Sequence, residues 1–118
     1  MSQSEDNQAQ IIALQNDQFR NYPINVFGIA GQVVLTRGIA DLGEVDLQAI
    51  MSRVQDFDEF TEGDDPYGWH NFGAFTYKGL KIFWKIDLYD VNYEMGSPEP
   101  ENPEVTRRVL TIMLAEEY

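Results

Sequence analysis

The segment Leu80–Tyr89 alternates apolar and polar residues along its whole length. Such alternation is typical of a strand with one face in a core, and a strand of this length is expected near the centre of a sheet. Lys78-Gly79 precedes it, and glycine supplies the positive φ that a tight turn needs. The sequence therefore predicts a hairpin with strands at residues 74–77 and 80–89. Its core face carries Leu80, Ile82, Trp84, Ile86 and Leu88.

Three elements are predicted before the hairpin. A helix is expected over residues 5–20, ended by Tyr22-Pro23, because proline disfavours helical geometry in the residue before it. Residues 32–37 read as a strand, since they are rich in β-branched and apolar side chains. A second helix is expected over residues 46–57, where apolar residues recur at helical spacing and Asp46 is a candidate N-cap.

The last element has two interpretations. Asn102-Pro103-Glu104 has the order of an N-cap, a first-position proline and an early acid, which predicts a helix to the end of the chain. The β-branched run at residues 109–112 would instead suit a strand. With the helix favoured, the order is α-β-α-β-β-α. This is an α+β class, with about three antiparallel strands and about three helices packed on them.

Length and cysteine content limit the classes of protein. At 118 residues the chain has the size of one domain, predicted over residues 9–118 after a disordered or frayed segment at residues 1–8. The absence of cysteine excludes disulfides, thiolate zinc sites and cysteine nucleophiles. The polar start lacks a secretory signal, and no apolar run approaches the roughly 20 residues of a membrane span, so a cytoplasmic location is expected.

The formal net charge of −12 bears on the choice of partner. Direct binding to nucleic acid requires clustered lysine and arginine, and anionic membranes also repel an acidic protein. A basic protein surface is therefore the expected partner. The alternative is that the charge serves only solubility.

The charge is concentrated in two windows that contain no lysine or arginine, residues 56–65 and 87–104. They hold more than half of the 20 aspartates and glutamates. One window precedes the hairpin and the other follows it, so both are expected at the same end of the sheet, away from Lys78 and Lys81. The candidate binding residues are Asp56, Asp58, Glu59, Glu62, Asp64, Asp65, Asp87, Asp90, Glu94, Glu99 and Glu101.

No catalytic residue is assigned from the sequence. The candidates are the single histidine, His70, with Asp64 and Asp65, while Asp87 and Asp90 are further carboxylates for a metal or acid–base site. Their spacing matches no known metal or nucleophile motif, and a histidine between Trp69 and Phe72 is more often structural. No cofactor is expected, and the aromatic residues of the hairpin are assigned to core packing.

Several strings of the sequence resemble the DUF3768 family, small bacterial proteins of unknown function. They are residues 32–38, 57–61, 64–68, 70–73, 83–90 and 108–118, and the resemblance begins at about Ile11. Members usually have acids on both sides of the histidine, where this chain has Trp69 and Asn71, so no role in a metal or catalytic site is carried over to His70. The resemblance also implies an accessory gene of plasmids and other mobile elements.

Two hypotheses follow. The first is a non-catalytic binding or inhibitor module whose negative end docks on a basic surface. One form of this hypothesis is that the negative end mimics a nucleic acid. The second is a small metal-binding or hydrolytic domain centred on His70 and the nearby carboxylates, which must then converge in one pocket.

Overall fold

The predicted hairpin is present in the computed structural model, which describes residues 3–23 and 28–118. Strands β2 (Phe72–Tyr77) and β3 (Leu80–Tyr89) pair antiparallel around Lys78-Gly79. Strand β4 (Arg107–Leu114) pairs antiparallel with the other side of β3. Strand β1 (Gly31–Leu35) pairs with β4 in parallel, which gives the order β1-β4-β3-β2. The α+β class is confirmed, with a mixed sheet of four strands instead of about three antiparallel ones.

Among the described residues, three helices accompany the sheet. Helix α1 (Gln3–Asn21) includes part of the segment expected to fray, and the domain boundary at residue 9 stays a prediction. Helix α2 (Arg37–Ala40) is a single turn after β1. Helix α3 (Glu44–Gln55) begins after Gly43, whose φ of 96° suits glycine, so the prediction of Asp46 as its N-cap was wrong. No helix within the described ranges combines the length and apolar character that crossing a membrane requires.

The predicted C-terminal helix was wrong, because residues 107–114 form β4 and only Ala115–Glu117 follow as a 3₁₀ turn. The Asn102 carboxamide does accept the Glu104 N–H (3.0 Å), but this closes a local turn and starts no helix. The β-branched residues that follow favour a strand, and pairing with both β1 and β3 satisfies their backbone groups.

One face of the sheet forms the core with the helices. The buried apolar residues of β3 and β4 on this face are Ile82, Trp84, Ile86, Leu110 and Ile112. Phe19 of α1, Ile39 of α2, and Ile50 and Val54 of α3 pack against them. Gly73 lies opposite Trp84, where a Cβ would overlap the indole and stand 2.8 Å from the Phe57 ring. The other face, with Phe83, Lys85 and Asp87, is only partly buried.

Candidate functional site at the acidic end

Helix α1 holds the two acidic segments of the chain side by side. We call residues 56–71 loop A and residues 90–106 loop B. The Asn16 carboxamide donates to the Trp69 carbonyl of loop A (2.9 Å), and the Gln15 carboxamide donates to the Glu101 carbonyl of loop B (2.8 Å). Gln8 also donates to the Glu101 carboxylate (2.8 Å). Loops A and B therefore lie at one end of the molecule, which we call the acidic end.

A buried arginine lies beneath these contacts. Arg108 Nε donates to Asn16 Oδ1 (2.7 Å), and Nη2 donates to Gln15 Oε1 (2.9 Å). Nη1 has no partner among the described residues, and none of their carboxylates forms an ion pair with the guanidinium. Desolvation by burial lowers the pKa of Arg108 to about 10. The sequence prediction missed this residue, because it falls on the core face only when residues 107–114 are recognised as a strand.

Four of the candidate binding carboxylates serve local structure. Asp65 is buried and accepts the backbone N–H groups of Trp69 (3.0 Å) and His70 (3.1 Å). Asp90 accepts two backbone N–H groups within loop B, those of Asn92 (3.0 Å) and Glu94 (3.1 Å). Glu99 accepts the Asn102 carboxamide (3.2 Å), and the hydrogen bond from Gln8 lowers the pKa of Glu101.

Six other candidates are exposed at the acidic end. Their carboxylates form no hydrogen bond or ion pair with another described residue. They are Asp56, Asp58, Glu59, Glu62, Asp64 and Glu94. The last candidate, Asp87, is half-buried and pairs with Lys85 (2.9 Å). It forms the only ion pair of the two acidic windows within residues 3–23 and 28–118. The acidic end is thus largely uncompensated.

His70 has a partner that the sequence prediction did not include. Its Nδ1 lies 2.9 Å from the Asp17 carboxylate, and its ring stacks on Phe60 with centroids 3.9 Å apart. Arg20 pairs with the same carboxylate (2.8 Å) and donates to the Val54 carbonyl at the end of α3 (2.6 Å). Asp65 reaches His70 only through the backbone N–H. This cluster fastens loop A to α1 and α3, and no sequence motif marked Asp17 as its centre.

The residues proposed for a metal site are not brought together as a ligand set. Within the described ranges, no group of three or more histidine, aspartate and glutamate side chains is arranged to hold a metal ion. Asp64 and Asp87 do line one cavity, but His70 is not among the residues that line it.

That cavity lies between loop A and the partly exposed face of the sheet. Its volume is about 470 Å³. The Phe83 ring stands edge-on to Phe72 (centroids 5.2 Å apart) and to Tyr118 (5.7 Å). Its lining also includes Tyr67, Asp64, Asp87 and Lys85. The aromatic residues assigned from sequence to core packing therefore include a set on the opposite face, which alternation in β3 could have indicated.

The match to a family model covers three of the four strands described and both acidic loops. Residues 35–117 match DUF3768, described as a protein of unknown function. The chain belongs to the DUF3768 family. The matched region includes α2, α3, β2, β3 and β4, whereas α1, which holds the loops together, lies outside it. No curated protein and no solved structure matches the chain.

Proposed function

We propose that this DUF3768 protein is a non-catalytic binding module whose acidic end docks on the basic surface of another protein. The observation that carries the proposal is the set of exposed, unpaired carboxylates that α1 holds together in loops A and B. Opposite charge on a partner would increase the rate of association and orient the encounter.

At the opposite end of the molecule Glu44 and Glu116 are exposed, but two other carboxylates have hydrogen-bond donors. At the hairpin turn Asp46 accepts the Tyr77 hydroxyl (2.7 Å) and pairs with Lys78 (3.1 Å). Both hydrogen bonds lower the pKa of Asp46. Near the end of β4, Glu117 accepts hydrogen bonds from Thr36, Gly38 and Leu114. The contrast supports a binding role for the acidic end, because solubility alone does not require the free carboxylates to lie together.

A finer form of the proposal concerns the class of partner. Carboxylates at one end of a protein can replace the phosphates of nucleic acid, so the partner would be a DNA-processing or host-defence protein in the cytoplasm. Such mimicry would suit the product of an accessory gene on a mobile element, because it would block a host protein that acts on the element's DNA. Double-stranded DNA should then displace the bound partner, whereas displacement by salt alone supports only the coarser proposal.

No specific observation favours the metal-binding or hydrolytic alternative. The ring of His70 is stacked on Phe60 and bonded to Asp17, and these contacts fasten loop A to α1.

The proposal is tested by retention of basic proteins from native cell extract on the immobilised full chain. We expect binding at low salt and loss at high salt, since exposed charges are screened over about 8 Å at physiological ionic strength. The double variant Glu62→Gln/Glu94→Gln should retain less. Its matched control is Glu44→Gln/Glu116→Gln, two exposed glutamates near the hairpin turn and after β4.

Two outcomes would contradict the proposal. One is the absence of any basic protein retained at low salt. The other is equal loss of binding in the acidic-end variant and in its control, since binding would then follow net charge instead of the acidic end.

A further inference from the structure

The cavity beside loop A has the size and lining of a small binding site. Its volume of about 470 Å³ is within the range of about 300–1,000 Å³ that is usual for ligand sites. Aromatic rings of Tyr67, Phe72, Phe83 and Tyr118 form its apolar lining. Flat groups can stack on the faces of such rings, and the negative electrostatic potential of those faces attracts cations.

The charges in the cavity also favour a cation. Lys85 pairs with Asp87 (2.9 Å), and this hydrogen bond raises the pKa of the lysine, so the two groups form a neutral pair. Asp64 is exposed, and its carboxylate has no partner among the described residues. Among the lining residues Asp64 is therefore the uncompensated charge, while the Lys81 ammonium lies beside the lining, 5.7 Å from the centre of the Phe83 ring.

The same protein already places both lysine and arginine on aromatic rings, with Lys78 over Tyr77 and Lys81 over Phe83. The Arg20 guanidinium lies 4.9 Å from the centre of the Trp84 ring, and the Arg53 guanidinium lies 4.6 Å from that of Phe75. A guanidinium is planar and weakly hydrated, and it can donate two parallel hydrogen bonds to a carboxylate. An ammonium group lacks both properties, so the combination of rings and a free carboxylate suits arginine better than lysine.

We propose that this cavity receives an arginine side chain of the partner, with the guanidinium packed among the rings of Tyr67, Phe72 and Phe83 and hydrogen-bonded to Asp64. The inference rests on the proposed function and adds a specific anchor to it. The exposed carboxylates of loops A and B attract the basic surface, and the cavity fixes the position of one residue on that surface. Buried arginines with aromatic neighbours are common sites of large binding energy in protein interfaces.

The test is a titration of the isotope-labelled full chain with N-acetyl-arginine amide at low salt, followed by NMR. N-acetyl-lysine amide and N-acetyl-norleucine amide are the comparison probes. We expect the arginine probe to shift the backbone amide signals of Gly63, Asn71 and Phe83 more than those elsewhere in the acidic end. The lysine probe should bind more weakly, and the uncharged probe should not bind.

Variants separate the cavity from general attraction. Asp64→Asn and Phe83→Leu should each weaken the arginine probe about three- to tenfold, the range of a cation–π contact or a partly exposed ion pair. The matched controls are Asp58→Asn, an exposed acid of loop A outside the cavity, and Tyr89→Leu, an aromatic on the same face of β3 outside the cavity. Both controls should bind as the unchanged protein does.

Poly-lysine distinguishes failure of the anchor from failure of the proposed function. If poly-lysine shifts the signals of both loops while Asp64→Asn and Asp58→Asn weaken the arginine probe equally, the anchor is rejected and the binding role of the acidic end stands. If neither poly-lysine nor the arginine probe produces shifts, both proposals are rejected.

Discussion

Arg108 connects the sheet, helix α1 and both acidic loops through two side chains. Its guanidinium is fully buried and bonded to Gln15 and Asn16, which in turn hold Glu101 of loop B and Trp69 of loop A. A buried cation without a carboxylate partner carries a large desolvation cost. The hydrogen bonds that its guanidinium donates to Asn16 and Gln15 offset part of that cost.

Replacing Arg108 by methionine tests whether its hydrogen bonds outweigh that cost. The change leaves Asn16 Oδ1 and Gln15 Oε1 without their donors, and we expect the free energy of unfolding to fall by about 1–3 kcal/mol in urea denaturation. Arg107→Met is the control, since Arg107 is half-buried and donates only to nearby backbone carbonyls. A more stable Arg108→Met protein would show that desolvation is the larger effect.

At the scale of elements, the C-terminal 3₁₀ turn fastens three others together. Glu117 accepts the Thr36 hydroxyl (2.6 Å), the Leu114 N–H (2.9 Å) and the Gly38 N–H (2.9 Å). One carboxylate thereby joins the end of β4, the residue after β1 and helix α2. The hydrogen bond from Thr36, followed by those from Leu114 and Gly38, lowers the pKa of Glu117 below its ordinary 4.5.

The lowered pKa predicts a pH-dependent contribution to stability. The unfolded chain binds the proton more tightly, so the contribution is complete above the ordinary pKa and is lost as pH falls through the lowered one. We expect Glu117→Gln to unfold at lower urea than the unchanged protein near neutral pH, with the difference shrinking as pH falls below the ordinary pKa of 4.5. Glu116→Gln, a neighbouring change without these hydrogen bonds, should show no such difference. A gap that persists in acid would contradict the prediction.

Local sequence patterns account for the elements that were predicted correctly. The hairpin and α3 follow from regular alternation and helical spacing, because these patterns mark one face of an isolated element. Strand β4 was mistaken for a helix because the turn at residues 102–105 has the order of a helix start. Its strand character depends on hydrogen bonds to β1 and β3, which are distant in sequence.

At the scale of the whole molecule, the chain carries its charge unevenly. Six free carboxylates lie at the acidic end, whereas at the other end Glu44 and Glu116 are exposed and the carboxylates of Asp46 and Glu117 have hydrogen-bond donors. Crowded charges of one sign repel each other and oppose the folded state. The acidic end is therefore expected to cost stability, as binding surfaces often do.

Added salt should relieve this repulsion. We expect the midpoint of thermal unfolding to rise as NaCl increases from about 10 mM to about 0.5 M, since the screening length falls from roughly 30 Å to a few ångströms. The rise should be smaller in Glu62→Gln/Glu94→Gln than in Glu44→Gln/Glu116→Gln, as followed by circular dichroism. An equal rise in the two variants would mean that the repulsion is spread over the whole surface.

Local patterns were enough to predict the α+β class, the hairpin, two of the helices and the two acidic windows, because each depends on residues that are near one another in the chain. Which carboxylates are free depends instead on how the chain folds. The carboxylates of Asp65 and Asp90 accept hydrogen bonds from backbone N–H groups, whereas Asp64 lines a cavity whose other side is the sheet. The tertiary structure also places Arg108 and Asp17 beneath the loops, through contacts that span much of the chain. The physical reason is that a hydrogen-bond partner or a cavity wall is set by packing between distant segments, which local patterns do not encode.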